Sequence, residues 1–400
     1  MKILVLNCGS SSIKYRLFEL PGDTVLTTGQ IERIGEENSL LRYRCPGQDP
    51  DAGVEEQRHI ADHREGLSRI IAALQESGSL RNPEELTAIG HRVVHGGERF
   101  RQPVQIDSEV VGKIREMIPL APLHNPANLT GIEVAMQVAP HASQVAVFDT
   151  AFHQTLPPHA WHYALPRSLY TEHQVRRYGF HGTSHCYVAK QAAAFLDKPF
   201  EETNLITLHL GNGASVAAIR NGESVDTSMG MTPLEGLVMG TRCGDIDPAI
   251  HAYLHRTAGM SVEEIDQMLN RDSGLRGLCG RNDMRAVHEL ADSGDESALL
   301  ALDVYCYRLK KYIGAYCAAL GHVDAIVFTG GIGENDVRIR TRVCTGLDAM
   351  GIVIDKTGPR RSESKILCLH RENSAVRILV IPTDEELEIA TQTMDCVDAA

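Results

Sequence analysis

The feature that most constrains the fold is a strand, a small-residue turn and a second strand that together occur twice in the chain. The run Leu4-Val5-Leu6-Asn7-Cys8-Gly9-Ser10-Ser11-Ser12-Ile13-Lys14-Tyr15-Arg16-Leu17 lies over Ile206-Thr207-Leu208-His209-Leu210-Gly211-Asn212-Gly213-Ala214-Ser215-Val216-Ala217-Ala218-Ile219, with Gly9 on Gly211. In the second copy Asn221-Gly222 adds a further hairpin turn, because Asn-Gly supplies the positive φ angles of a tight type I′ turn. A duplicated hairpin implies two related α/β halves. The rival explanation is chance, since hairpins with small turns are common. Around the hairpins the spacing of apolar residues predicts strands over 89–94, 145–148, 325–329 and 376–381, and helices over 65–77, 299–320 and 337–350. Two capping boxes mark further helix starts, Ser261 with Glu264 and Thr383 with Glu386.

A chain of 400 residues exceeds what one hydrophobic core usually holds, so two domains are expected, with a boundary near residue 150. The formal net charge of −13 and the scattered Lys and Arg argue against nucleic acid or an anionic membrane as partner. The ten cysteines form no Cys-x-x-Cys pair and read as reduced thiols of a cytosolic protein. The apolar run at 1–6 stops at Asn7, which suits a buried strand and not an export signal. No stretch of about 18 apolar residues exists for a membrane span. A cytoplasmic location is therefore expected.

Several segments concentrate groups that could do chemistry. Asn7-x-Gly9-Ser10-Ser11-Ser12-x-Lys14 offers backbone amides, hydroxyls and an ammonium directly after a strand, which is either a phosphate cradle or a polar hairpin turn. No Gly-Lys-Ser or Gly-Lys-Thr is present, so a P-loop is excluded. Gly211 to Ser215 and Gly330 to Asn335 also follow strands, and the second leads into a helix whose start could face a phosphate. Arg92 and Arg242 sit among glycines and are candidate forks for carboxylate or phosphate, surface arginines being the alternative. Asp149 closes the strand at 145–148, where ligands of open α/β sheets collect, and is an acid, base or metal organiser, or only a cap. The pairs His181/His185, His91/His95 and His59/His63 have metal-like spacing but lack the Glu of a His-Glu-x-x-His motif, so zinc is not expected.

Taken together, the chain is similar from end to end to the acetokinase family, within the acetate and sugar kinase, heat-shock and actin superfamily. The segments that carry the resemblance are Asn7 to Lys14, His91 to Gly97, Pro122 to Pro126, Phe148 to His153, Tyr178 to His185, His209 to Ser215, Met239 to Pro248 and Phe328 to Asn335. It implies an α/β fold of two duplicated ribonuclease-H-like, actin-like domains, 1–150 and 151–384, with the nucleotide in the cleft between them. A C-terminal helix, 385–400, is implied to return to the first domain, and the chain to form a homodimer. The implied reaction is reversible, Mg2+-dependent transfer of the γ-phosphoryl group of ATP to acetate by in-line attack, with Mn2+ as a substitute metal.

Matched residue by residue, the resemblance implies a metal site at Asn7 and Glu385 and phosphate contacts from Ser10, Ser12 and Lys14. It implies ATP contacts from His209, Leu210, Gly211, Asn212, Gly213, Asp283, Met284, Arg285, Gly331, Ile332, Gly333, Glu334 and Asn335. Arg92, Asp149, His181 and Arg242 form the implied catalytic group, and Arg92, Val94, Leu123, Phe180 and Pro233 the acetate pocket. Asp384 departs from the asparagine usual in the family and is expected to alter metal affinity modestly. A capping box at Thr383 would turn Glu386 back and leave Glu385 free for the metal. The competing expectations are a propionate or butyrate kinase of the same superfamily, and a non-enzymatic actin-like ATP-binding protein, which would have no need of Arg92, Arg242 and a small apolar pocket.

Overall fold

The computed structural model describes residues 1–46, 53–356, 358, 360–361 and 365–399. The chain forms two compact units, Met1–Phe152 with Asp384–Ala400, and His153–Thr383.

The first unit is organised by β1 (Lys2–Cys8), whose Ile3, Leu4, Val5 and Leu6 are all buried. A strand with both faces apolar must be covered on both. Leu4, Leu6 and Cys8 pack into one core with Leu67, Ile70 and Leu74 of the helix His63–Glu76. Ile3 and Val5 pack into another with Ile389 and Ala390 of the helix Glu385–Asp398. The remaining strands are β2 (Ser12–Glu19), β3 (Thr24–Glu32), β4 (Ser39–Arg44), β5 (Val54–Arg58), β6 (Leu86–Val93), β7 (Val104–Gln105) and β8 (Ser143–Phe148), in the order β5-β4-β3-β2-β1-β6-β8-β7. Strands β6 and β8 run parallel to β1, while β2 to β5 form an antiparallel meander. The C-terminal helix lies so close to β6 that a Cβ on Gly90 would stand 2.4 Å from Thr393 Oγ1. Only glycine admits that approach.

The second unit repeats the plan. Its strands β9 (Asn204–Leu210), β10 (Ala214–Arg220), β11 (Glu223–Thr227), β12 (Ala325–Thr329), β13 (Arg360–Arg361), β14 (Leu367–Cys368) and β15 (Arg377–Val380) have the order β11-β10-β9-β12-β15-β14-β13. Here β9, β12 and β15 are parallel and β10 and β11 antiparallel. The runs β3-β2-β1-β6-β8 and β11-β10-β9-β12-β15 therefore share order and direction, so the duplicated hairpin reflects a duplicated sheet. The ungapped overlay needs one correction. Asn7 pairs with Lys14, whereas His209 pairs with Ser215, so the second turn is one residue shorter. Ser215, not Val216, takes the place of Lys14, and a slip of one residue exchanges the faces of a strand.

Two helix expectations are also corrected. The helix Val337–Cys344 is shorter than 337–350, because Gly346 adopts φ +80° and a 3-10 turn follows at Asp348–Met350. The capping box at Ser261 and Glu264 forms, but the one at Thr383 does not. Asp384 is the N-cap of the last helix, accepting from Leu387 N at 3.0 Å. Its carboxylate is held by Arg16 Nη1 at 2.7 and 2.8 Å, and Glu386 turns toward Arg16 at 3.9 Å. The Thr383 amide is engaged by Glu334 Oε1 at 3.2 Å and its hydroxyl by Ser184 at 2.9 Å, which removes both from capping. Among the described residues no helix is long and apolar enough to cross a membrane.

Candidate active site

In the first unit, the parallel register of β6 and β8 aligns Arg92 with Val147 and Val93 with Phe148, so Asp149 emerges beside Arg92. The Asp149 amide extends the ladder by donating to Val93 O at 3.0 Å. Arg92 Nε donates to Oδ1 and Oδ2 of Asp149 at 3.0 and 3.2 Å, and Nη2 to Oδ2 at 2.8 Å. Glu385 Oε2 lies 4.0 Å from the same Nη2, so one guanidinium serves two carboxylates. Asp149 is buried, and loss of solvent pushes its carboxyl above the usual range against the opposing pull of Arg92. The charge of Asp149 in turn raises the Arg92 pKa, so the fork stays cationic.

The chain after β6 is pinned by two buried asparagines of the helix Asn125–Val138. Asn128 Oδ1 accepts from Val94 N and Asn125 Oδ1 from His95 N, both at 3.1 Å. Asn125 Nδ2 returns a bond to His95 O at 3.0 Å, and Asn128 Nδ2 reaches Cys8 O at 2.9 Å. These amides tie the segment that carries Val94 to the end of β1. Val94 is half-buried, whereas Leu123 is 72% exposed. In the turn after β1, Gly9 N donates to Ser12 O at 2.8 Å, leaving Ser10 and Ser11 exposed. Lys14 is exposed and makes no ion pair among the described residues, while Arg16 is taken by Asp384.

Asn7, at the end of β1, and Glu385, in the first turn of the last helix, offer an amide and a carboxylate oxygen. Among the described residues no group of three or more His, Cys, Asp or Glu could hold a metal. A sparse, all-oxygen donor set fits a hard divalent cation that keeps waters and binds substrate phosphates, and does not fit zinc.

In the second unit the turn after β9 is closed by Gly211 N donating to Gly213 O at 3.0 Å, with Gly240 N donating to Asn212 O at 3.1 Å. A Cβ on Gly213 would stand 3.4 Å from Arg242 Nη1 and 3.6 Å from His181 Cε1 and Nε2. The glycine turn thus brings Arg242 and His181 to one point. Arg242 donates to Pro233 O at 3.1 Å, and burial lowers its pKa. His181 adopts the left-handed conformation, φ 57°, directly before the helix Gly182–Phe195. Its ring stacks on His209 with centroids 4.3 Å apart, and its Nδ1 lies 2.9 Å from Ser215 Oγ. Phe180 is buried and its carbonyl accepts from His153 Nε2 at 3.0 Å.

The other nucleotide candidates have local structural partners. Gly330–Asn335 is itself a short helix directly after β12, where Glu334 Oε1 accepts from Gly330 N at 3.0 Å and Asn335 Nδ2 donates to Gly331 O at 2.9 Å. Asp283 caps the helix Met284–Asp292 and pairs with Arg285 at 3.1 Å. Sequence reasoning missed Asn128, Thr207, His185 and Ser215 as supports of the site. The available signal was a polar residue inside a strand or helix that is otherwise buried.

The sequence pattern of the Acetokinase family matches residues 2–391. A protein of Syntrophobacter fumaroxidans named acetate kinase is 54% identical over 408 aligned residues, covering 100% of this chain and 98% of that one. The crystal structure of Porphyromonas gingivalis acetate kinase superposes with a TM-score of 0.93 at 46% identity, covering 99% of both chains. A propionate kinase from Francisella tularensis superposes with a TM-score of 0.90 at 43% identity, covering 98% of this chain and 99% of that one.

Proposed function

The chain belongs to the acetokinase family, and on that premise we propose how its residues carry out the family's reaction. It transfers a phosphoryl group between ATP and acetate, with ATP or ADP as co-substrate and a divalent metal ion. The metal is Mg2+, replaceable by Mn2+, and Asn7 and Glu385 hold it through oxygen. It supplies charge neutralisation on the phosphates.

Lys14, Ser10 and Ser12 bind phosphate, and His209 to Gly213, Asp283 to Arg285 and Gly331 to Asn335 hold the nucleotide. The acetate carboxylate attacks the γ-phosphorus in line. Being ionised near neutral pH, it needs no base, so Asp149 has a positioning task. The observation that carries this reading is the Arg92–Asp149 fork, because a carboxylate whose two oxygens both accept from one guanidinium fixes the orientation of that guanidinium. Arg92, Arg242 and His181 stabilise the charge on the phosphoryl oxygens. Val94, Leu123, Phe180 and Pro233 bound the methyl group of acetate. The chain acts in the cytoplasm as a homodimer.

Propionate is the second reading, supported by the likeness to the Francisella tularensis propionate kinase. One methylene is worth only about 1–3 kcal/mol in an apolar pocket, so propionate should react, more slowly than acetate. The test is ATP-dependent acyl phosphate formation, trapped with hydroxylamine, with acetate, propionate and butyrate side by side, in Mg2+ or excess chelator. Strong product with acetate that chelator abolishes and Mg2+ or Mn2+ restores is the expected result. Chelator-insensitive product, or a preference for propionate, would overturn the metal or the substrate assignment.

A further inference from the structure

We infer that Ser215, His185 and Thr207 are positioning residues that lock the proton of His181 onto Nε2, so that its ring offers an N–H donor beside Gly213 and Arg242. The inference rests on the role proposed above for His181 in phosphoryl transfer.

Three contacts form an unbroken chain behind His181. Thr207 Oγ1 lies 2.7 Å from His185 Nδ1, His185 Nε2 lies 2.8 Å from Ser215 Oγ, and Ser215 Oγ lies 2.9 Å from His181 Nδ1. Thr207, His185 and Ser215 are fully buried, so no solvent supplies alternative partners. A hydroxyl has one proton and a neutral imidazole carries one N–H. Ser215 therefore donates to one histidine and accepts from the other. The two rings are thereby coupled. Either both carry the proton on Nε2, or both carry it on Nδ1.

Thr207 decides between the two. If His185 carried its proton on Nδ1, Thr207 would accept it and its own hydroxyl proton would have no acceptor, since His185 is the side chain's only hydrogen-bond partner among the described residues. A buried polar proton left unpaired is costly. With both protons on Nε2, Thr207 donates to His185 Nδ1, His185 Nε2 donates to Ser215, and Ser215 donates to His181 Nδ1. The protons of Thr207, His185 and Ser215 then each have an acceptor. His185 also stays neutral, because burial lowers its pKa well below the usual range, with His153 and His209 adding to the effect. The remaining nitrogen of His181, Nε2, is the one beside Gly213 and thus next to Arg242. An N–H fixed there stabilises negative charge on a phosphoryl oxygen, whereas a lone pair would repel it.

The test uses the full-length protein labelled with 15N-histidine, in which two-bond 1H–15N spectra report the tautomer of each ring. The His181 signals are identified by their loss in His181→Ala. The expected result is an Nε2–H tautomer for both His181 and His185. An Nδ1–H or doubly protonated His181 overturns the inference, and this measurement needs no variant of the three residues themselves. In kinetics, Ser215→Ala should lower kcat by about 10- to 100-fold, the cost of losing a group that orients another, with the KM values for ATP and acetate nearly unchanged. His185→Gln should retain most of the activity, because its amide can accept from Thr207 and donate to Ser215, while His185→Leu should fall with Ser215→Ala. If His181→Ala is impaired but folded Ser215→Ala is not, only the tautomer lock fails. If His181→Ala keeps full turnover, the proposed role of His181 fails with it.

Discussion

Arg92 Nη2 reaches Asp149 Oδ2 at 2.8 Å while Arg92 Nε reaches Oδ1 at 3.0 Å, so the guanidinium spans a carboxylate that is 2% exposed. Breaking such a pair leaves a buried charge uncompensated, and Arg92→Ala should cost about 3 kcal/mol of stability at neutral pH. The penalty should shrink as pH falls. Burial already raises the Asp149 carboxyl, and without Arg92 it rises further. For an acid whose folded pKa lies above the unfolded one, stability is present at low pH and lost as pH rises through the folded value. Urea denaturation of both proteins at about pH 7.5 and about pH 5.5 should therefore show the smaller gap at the lower pH. A gap that stays constant or widens contradicts this account of Asp149.

Among the described residues the Arg242 side chain bonds only to Pro233 O and, weakly, to Met239 Sδ at 3.7 Å, so its removal should spare the fold. Arg242→Ala is expected to lower kcat by about 10³-fold, as loss of a transition-state arginine does. Near-normal turnover in a folded variant would remove Arg242 from the chemistry.

Val94 is half-buried on a backbone fixed by Asn128. Val94→Ala should raise the propionate-to-acetate ratio of kcat/KM by about tenfold or more, the value of a methylene in an apolar pocket. Leu123→Ala should move the ratio less, because Leu123 is mostly exposed. Comparison of the specificity constants for both acids decides the point, and an unchanged ratio in Val94→Ala would place the methyl group elsewhere.

Asp384 caps the last helix and neutralises Arg16. Asn caps as well as Asp but cannot pair with Arg16, so Asp384→Asn should cost less than about 1 kcal/mol and Asp384→Ala about 1–2 kcal/mol. Because Arg16 already balances the carboxylate, Asp384→Asn should leave the Mg2+ requirement nearly unchanged. Thermal denaturation and a Mg2+ titration of activity test the two statements separately, and a large shift in the titration would show that Asp384 acts on the metal after all.

What the sequence determined by itself was local or repeated. The duplicated hairpin was legible because strand alternation and small turns are written in consecutive residues, and the capping box at Ser261 because its two partners are three positions apart. The motif segments named the family and the candidate residues. Their partnerships were decided only by the tertiary structure. Arg92 meets Asp149 across 57 positions because parallel pairing of β6 and β8 aligns their ends. Asp384 displaces Thr383 as the cap because Arg16, 368 positions earlier, waits beside it and Glu334 engages the Thr383 amide. Ser215 stands behind His181 because the second turn is one residue shorter than the first, a difference an ungapped overlay hides. In each case the deciding energy is the pairing of polar groups in a buried setting, and which groups share that setting depends on how distant strands register and not on what precedes them in the chain.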